Sequence, residues 1–552
     1  MKISSLWRAY AICGYDNGAL AGCLVMDDFQ QTFSFDSNSK SAIVLSVPLA
    51  ASSIISILSG PIGDKVGRKR FVFIACIIHT IGTITQCAGH TFATFFIGKL
   101  IAGFSLGMFS VMCPLYQSEI SLPEHRGRLI SMHQFGVTIG FCLAFWITYG
   151  TFDMRNKLSW SIPLGIQIAP PVVLMLGLYF IPESPRWLIY QGRFSEAKHI
   201  LRVLRAKKDD DDLELRMEYT GIIQERNYDR KYSSQSYKSL IEEGIDNNRK
   251  RTILGVGLHI MTQLTGINAL LFYLPYILES TGIAESNSAL LGNGISGMVN
   301  MLATIPSFLY IDRWGRRRIM VIGGIAMATC MIIIAAVQGA YSIQLPASKV
   351  HVFPGSVFPI TVYINDSRAS FCVLVFLCLF LACFALSWGS MGWIYPAEIY
   401  PQSIRAKGLG VTTGASYATS IFVSQLAPVL FRDIGWGTYL FFGLICLIQS
   451  YIIHCFYPET RGRSLEEIHL IFSGALIDQS PGAHHPQTAF EALSHLKQFN
   501  VDNGIDLSKA SLRDDSSTTV ASSSSTVNQL LHHPSNRPPP HVVEQIELKP
   551  LN

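Results

Sequence analysis

Runs of about twenty apolar residues recur along the chain, and their length restricts it to a narrow set of folds. Twelve such runs lie at about residues 9–26, 41–63, 71–88, 92–117, 128–150, 160–181, 252–277, 288–311, 319–340, 370–396, 407–430 and 437–457. A helix needs about 20 mostly apolar residues to cross the hydrocarbon core of a bilayer. The runs lack the polar face that a helix of a soluble bundle presents to water. The sequence therefore predicts an all-α membrane protein with twelve transmembrane helices.

The composition supports contact with a lipid bilayer and disfavours other partners. Charged residues make up 15% of the 552 residues, whereas a soluble domain carries roughly 25%. The net charge of +5 is small and the basic residues form short clusters, which argues against a nucleic acid partner. The sequence contains no Gly-Lys-Ser/Thr phosphate loop and no pattern of catalytic or metal-binding side chains. It predicts neither an enzyme nor an ATP-driven pump, and no metal or cofactor.

Basic residues gather in the loops that follow spans two, four, eight and ten. They are Lys65, Arg68, Lys69 and Arg70; Arg126 and Arg128; Arg313 and Arg316 to Arg318; and Arg405 and Lys407. Because such loops stay on the cytoplasmic side of a membrane, the pattern predicts cytoplasmic termini and a cytoplasmic 182–250 loop. The sequon Asn365-Asp366-Ser367 falls in a loop predicted to lie outside, so Asn365 is a candidate glycosylation site. The expected location is the plasma membrane.

Three patterns of charge recur in the same order in the two halves of the chain. The repeats are Asp64-x-x-Gly67-Arg68 and Asp312-x-x-Gly315-Arg316, Glu119 before Arg126 and Glu398 before Arg405, and Pro182-Glu183 and Pro458-Glu459. They predict two pseudo-symmetric six-helix halves, 1–181 and 251–458, joined by a cytoplasmic helical loop, 182–250. A cytoplasmic motif and a mostly disordered tail rich in Ser and Pro, 459–552, would follow. Transporters built from repeats bind their substrate near the bilayer midplane, between the repeats.

The repeated charges lie at helix ends and form one group of candidate gating residues. The group is Asp64, Arg68, Glu119, Arg126, Glu183 and Arg186 in the first half, and Asp312, Arg316, Glu398, Arg405 and Glu459 in the second. Carboxylates and guanidiniums form strong paired hydrogen bonds at partly desolvated interfaces. Pairs that hold in one state and separate in another would set the gating equilibrium. The alternative is that these side chains only anchor helix ends at the membrane surface.

Six short motifs together resemble those of the sugar porter family of the major facilitator superfamily, over roughly residues 10–470. The motifs are Gly14 to Asp16, Gly60 to Lys69, Pro182 to Leu188, Gln263 to Asn268, Asp312 to Arg317 and Pro458 to Arg463. Pro182 to Leu188 and Pro458 to Arg463 are the more specific ones. The resemblance implies a secondary transporter that moves a monosaccharide, a hexose or a pentose, by alternating access. Two alternatives stay open: a transporter-like sugar sensor, and a uniporter for another polyol or a disaccharide.

The resemblance also implies a set of sugar-binding residues. The positions that match sugar contacts of the family are Gln134, Gln263, Asn268, Asn300 and Trp393. Side-chain amides both donate to and accept from hydroxyl groups, and Phe272 and Tyr273 are further candidates for an aromatic face under the ring. An amide in a membrane helix also serves as an interhelical hydrogen bond, which is the alternative reading. The sequence departs from the family pattern at Thr262, Ala385, Ser390 and Ser416. Because of these departures, the resemblance does not identify the sugar.

Two full charges of opposite sign fall within the predicted spans: Asp16 in span one and Lys99 in span four. Intramembrane charges are costly, tend to pair and mark functional sites. The resemblance implies that Asp16 is a proton site, with Lys99 in place of the arginine of proton-coupled members. The alternative is that Asp16 caps local backbone while Lys99 extends to the membrane surface. The sequence leaves open whether protons are a partner of transport.

Overall fold

The computed structural model describes most of the chain. It covers residues 7–24, 26–33, 38–121, 126–152, 154, 157–205, 213–232, 236–242, 247–274, 277–278, 286–344, 362–364, 366–461, 468 and 472. All of these belong to one compact unit that runs from residue 1 to residue 496. The candidate glycosylation site Asn365, the side chain of Arg126 and nearly all of the predicted tail lie outside the described residues.

Nearly all of the described chain is helical. The first half contains α1 (Trp7–Cys23), α2 (Asp27–Phe33), α3 (Asn38–Val66), α4 (Arg68–Ala88), α5 (Phe92–Ile120), α6 (Arg126–Thr151), α7 (Leu158–Ile166) and α8 (Ala169–Tyr179). The connecting segment contains α9 (Pro185–Tyr190), α10 (Phe194–Arg205), α11 (Leu213–Tyr232) and a 3-10 turn, Tyr237–Leu240. The second half contains α12 (Asn248–Leu264), α13 (Ile267–Phe272), α14 (Ser286–Trp314), α15 (Arg316–Tyr341), α16 (Ser367–Leu386), α17 (Trp388–Ile399), α18 (Arg405–Asp433) and α19 (Gly437–Phe456). The short strands β1 (Ser342–Gln344) and β2 (Val362–Ile364) pair antiparallel after α15.

The described helices confirm the predicted all-α membrane fold. Eleven segments are long and apolar enough to cross a bilayer, and α1, with 17 residues, supplies the short first span. The sequence predicts one continuous helix for each span, but three spans are broken in the structure. Span six is divided into α7 and α8, span seven into α12 and α13, and span ten into α16 and α17. Breaks of this kind are tolerated in membranes where neighbouring groups satisfy the freed backbone.

The outer surface of the bundle is apolar and much of its interior is polar. Large apolar side chains such as Ile54, Ile322 and Phe371 are 61%, 67% and 65% exposed. Polar side chains such as Gln86 and Thr304 are fully buried. A surface of this kind is stable against lipid and not against water, so the structure describes a multi-pass integral membrane protein.

Small residues allow the two halves to pack closely along α3 and α18. A Cβ atom on Gly60 would lie 2.6 Å from the carbonyl oxygen of Ala406, and one on Gly410 would lie 2.6 Å from that of Ser56. The Ser53 hydroxyl donates to the Gly414 carbonyl oxygen at 2.8 Å along the same seam. Close backbone approach through small residues is the usual basis of helix association in lipid. The seam places the interior faces of the two halves opposite one another.

Candidate functional site

A break in span seven positions two of the predicted sugar-binding amides. Between α12 and α13, Gly266 adopts φ of +85°, and a Cβ there would lie 2.8 Å from the Phe442 ring. Only glycine takes this conformation and this space without cost. Because the chain turns here, Gln263 on the last turn of α12 and Asn268 on the first turn of α13 come together. The Asn268 amide donates to the Gln263 side-chain oxygen at 2.6 Å.

Two serines of α18 complete this polar cluster. The Gln263 amide donates to the Ser416 hydroxyl at 2.9 Å, and the Asn268 amide donates to the Ser420 hydroxyl at 2.7 Å. Ser416 was noted in the sequence as a departure from the family pattern, and Ser420 was not singled out. Gln263 and Asn268 retain amide atoms beyond these bonds, since each side chain has two N–H donors and one carbonyl oxygen.

Three predicted residues are partly exposed although they lie inside the bundle. Gln263 and Asn268 are half-buried, and Trp393 is the one residue of α17 that is not fully buried. The Trp393 ring lies against His133 of the first half, with ring centroids 4.1 Å apart, and against His259 of α12 at 5.2 Å. The partial exposure of the three predicted residues leaves two amides and one aromatic ring accessible inside the bundle. Neither histidine is among the residues that the sequence predicts for the site.

The other predicted sugar-binding residues are distributed around the two halves. Gln134 is buried on α6 against α17, where a Cβ on Gly389 would lie 3.0 Å from its amide nitrogen. Asn300 is buried on α14, and its side-chain oxygen has no hydrogen-bond partner among the described residues. The Tyr273 hydroxyl donates to the Ser424 carbonyl oxygen at 3.0 Å. Phe272 packs against an apolar cluster of the first half.

Asp16 and Lys99 form a buried ion pair, as the sequence suggested. The Lys99 Nζ lies 2.9 Å from Asp16 Oδ1, and both side chains are 1% exposed. The Gln167 amide, at the junction of α7 and α8, also donates to Asp16 Oδ1. The second carboxylate oxygen, Oδ2, has no partner among the described residues. Lys99 does not extend to the membrane surface. Gln167 was missed, although a lone amide within a predicted span is a detectable signal.

A lattice of charges joins α3, α4 and α5 at the end of the bundle where α3 ends, which is here named the charged end. The Arg68 guanidinium binds both oxygens of Glu119, at 2.8 to 3.2 Å, and lies 2.9 Å from Asp64. The Glu183 carboxylate accepts the backbone N–H groups of Arg68 and Lys69 at 3.0 and 3.1 Å. It therefore caps the first turn of α4, where unpaired N–H groups and the helix dipole favour an anion.

The second half repeats this lattice at the matching positions. Arg316 lies 2.9 Å from Glu398 and 2.8 Å from Asp312. Glu459 accepts the backbone N–H groups of Arg316 and Arg317 at 2.7 and 3.1 Å. The sequence repeat is thus a repeat of contacts. Glu119 pairs with Arg68, 51 residues away, and Glu398 pairs with Arg316, 82 residues away.

Each lattice also contacts the opposite half. The Gln402 amide donates to Glu119 Oε1 at 3.2 Å, and the backbone N–H of Arg128 donates to Asp312 Oδ2 at 3.0 Å. Arg405 binds the Tyr400 carbonyl oxygen at 3.0 Å and the Gln402 side chain. The two halves are therefore in contact at the charged end.

The connecting segment has an ionic network of its own. Arg186 on α9 pairs with Glu225 on α11 at 2.9 Å, and the Tyr190 hydroxyl donates to Asp229. Burial, then the nearby carboxylates of Glu225 and Asp229, raise the pKa of Tyr190 well above its ordinary value. Arg186, a candidate gating residue, thus fastens α9 to α11.

The family described as "Sugar (and other) transporter" matches residues 7–472 of this chain. The chain belongs to the sugar transporter family. The match spans all twelve predicted membrane segments and both charge lattices, so the family assignment rests on the whole membrane domain.

Curated relatives of this sugar transporter family member cover most of its length. A "High-affinity glucose transporter" of Kluyveromyces lactis is 32% identical over 456 residues, 82% of this chain and 81% of the relative. An "MFS glucose transporter mfs1" of Aspergillus flavus is 30% identical, over 86% of this chain and 91% of the relative.

Solved structures of the proton:xylose symporter XylE share the fold. The structure bound to 6-bromo-6-deoxy-D-glucose aligns with a TM-score of 0.71 and 23% identity, covering 85% of this chain and 98% of XylE. The inward open conformation of XylE from E. coli aligns with a TM-score of 0.59 at the same identity. The fold of this sugar transporter family member is thus that of the major facilitator superfamily.

Proposed function

We propose that this protein is a secondary transporter that carries a monosaccharide across a membrane by alternating access. The observation that carries the proposal is the half-exposed group of Gln263, Asn268 and Trp393 inside the bundle. Amides that donate and accept hydrogen bonds beside a flat aromatic ring suit a neutral, ring-shaped polyol. The names of the relatives, which are glucose transporters, support a hexose as the substrate.

Alternating access requires contacts between the two halves that close one end of the bundle in one state and break in the other state. In this structure the halves touch at the charged end through Gln402 and Glu119, and through Arg128 and Asp312. We infer that the charged end faces the cytoplasm of the plasma membrane, with both termini on that side, since basic loops stay inside. Separating the two lattices would then expose Gln263 and Asn268 to the cytoplasm.

We also propose that sugar transport is coupled to protons through Asp16. Asp16 Oδ1 accepts from Lys99 and Gln167, while Oδ2 has no partner among the described residues and is where a proton would bind. A protonated Asp16 would release its ion pair with Lys99. If access to Asp16 differs between the two states, proton and sugar binding are linked through that difference.

Uptake of radiolabelled glucose and xylose in a host cell that lacks its own sugar carriers tests the transport proposal. Gln263→Ala should abolish most uptake at an unchanged amount of protein in the membrane. Gln338→Ala is the matched control, because Gln338 is a buried amide of the same half that bonds Tyr439 within that half. It should keep uptake within about twofold of the native chain, as expected for a change remote from the site. Binding of sugar by purified protein without uptake would support a sensor instead.

A further inference from the structure

A cavity lies at the charged end of the second half. It has a volume of about 240 Å³ and is lined by Lys250, Arg317, Cys455, Phe456, Tyr457, Pro458 and Phe472. The residues come from the first turns of α12 and α15, from the end of α19 and the two residues after it, and from Phe472. One water molecule occupies about 30 Å³ in the liquid, so the cavity has room for a small polar group.

The cavity is basic. Lys250 and Arg317 are its charged lining residues among those the structure describes. Arg317 directs one guanidinium nitrogen to the carbonyl oxygen of His454, and its Nε has no hydrogen-bond partner in the described part of the chain. The Glu459 carboxylate, next to Pro458 of the lining, accepts backbone N–H groups of Arg316, Arg317 and Arg461. It is committed to capping α15, and the cavity retains donors for an anion.

An exposed apolar stripe runs from this cavity along α19. Leu444, Ile448 and Tyr451, which are 48%, 58% and 68% exposed, lead with helical spacing to Cys455 in the cavity wall. A ligand that meets both surfaces carries an anionic head and long apolar chains. Basic pockets between membrane helices on the cytoplasmic side bind anionic lipid head groups.

We propose that this cavity binds the phosphate of an anionic phospholipid, whose acyl chains lie along the exposed face of α19. Lys250 and Arg317 hold the phosphate: the guanidinium offers a planar fork and the ammonium a point charge. The proposed orientation places the cavity at the cytoplasmic leaflet, where anionic lipids are concentrated. The proposal does not depend on which sugar is carried.

Lipid retention by the purified full-length protein tests the assignment. The protein is reconstituted in nanodiscs of phosphatidylcholine with a rising fraction of phosphatidylserine, and the bound lipid is counted by native mass spectrometry. The native chain should retain one phosphatidylserine in preference to phosphatidylcholine. Each of Lys250→Gln and Arg317→Gln should weaken retention about fivefold, the value expected for one cation near the surface.

Arg318→Gln is the matched control, since Arg318 is an exposed neighbour of Arg317 that does not line the cavity. It should keep the lipid. Equal loss in Arg318→Gln would mean a diffuse basic surface and would overturn the site, as would unchanged retention in Lys250→Gln, an exposed position where misfolding is not expected. Competition by inorganic phosphate as effective as that by phosphatidylserine would show a free anion site and refute the lipid assignment.

Discussion

Replacing Asn268 with alanine is the most direct perturbation of the proposed sugar site. In the structure its amide nitrogen gives both protons to protein acceptors, Gln263 at 2.6 Å and Ser420 at 2.7 Å. That leaves the side-chain oxygen to accept from a sugar hydroxyl. Asn268→Ala removes this acceptor and the bond that holds the Gln263 amide in place. Half-exposure of the position limits the effect on folding.

The magnitude follows from the hydrogen bonds lost. Leaving a polar partner unsatisfied in a desolvated site costs about 1–3 kcal/mol, which corresponds to a five- to 150-fold weaker affinity. Ser420→Ala is the matched control, because it removes one partner of Asn268 and leaves the bond to Gln263. The control should weaken affinity by less than about tenfold, the cost of one ordinary hydrogen bond.

The assay is uptake of radiolabelled glucose over a range of concentrations, normalised to the protein at the cell surface, together with equilibrium binding by purified protein. KM and the dissociation constant should rise together in Asn268→Ala, with a smaller rise in Ser420→Ala. Native values of both constants in Asn268→Ala would refute the sugar site at the α12–α13 break. A fall in surface protein that accounts for the whole loss would refute it equally.

Three further perturbations test the gating role of Glu119, the proton coupling through Asp16, and the backbone conformation of Gly67 between α3 and α4. Glu119→Gln breaks a buried bidentate pair with Arg68, for which a cost of about 3 kcal/mol is expected; the uptake rate should fall while equilibrium sugar binding changes less, and parallel loss of both would exclude a gating role. Asp16→Asn should abolish accumulation against a gradient and retain downhill exchange, measured with and without a protonophore; native uptake that ignores the protonophore would indicate a uniporter. Gly67→Ala places a side chain at φ of +100° and should destabilise the protein by about 1–2 kcal/mol, seen as a lower Tm, whereas Gly150→Ala, with open space around its Cβ, should leave the Tm near the native value.

Most of the fold could be predicted because its signals are local. Twenty apolar residues in a row specify a membrane helix wherever they occur, since no water is present in the hydrocarbon to satisfy backbone groups. The helix breaks could not be predicted in this way. Thr265–Gly266 and Ser387 interrupt spans whose composition stays apolar, and the turn at Gly266 depends on how closely Phe442 packs against it.

Part of the candidate site could be predicted from spacing alone. The repeat of Asp64 and Arg68 as Asp312 and Arg316 predicts charged groups at matching positions of the two halves. The cost of an isolated charge in lipid predicts that Asp16 has a partner of opposite charge. These inferences need only the type of each residue and its position in a span, which the sequence contains.

The sequence by itself thus determined the number of spans, the family and the residue types that line the two halves. Only the tertiary structure decided which side chains meet. Glu119 binds Arg68, and Asp16 receives a second donor from Gln167, 151 residues away. The ring of Trp393 lies beside histidines of both halves. The reason is geometric: the partner of a side chain depends on the rotation of each helix about its axis and on the approach of the halves, which small residues along α3 and α18 permit.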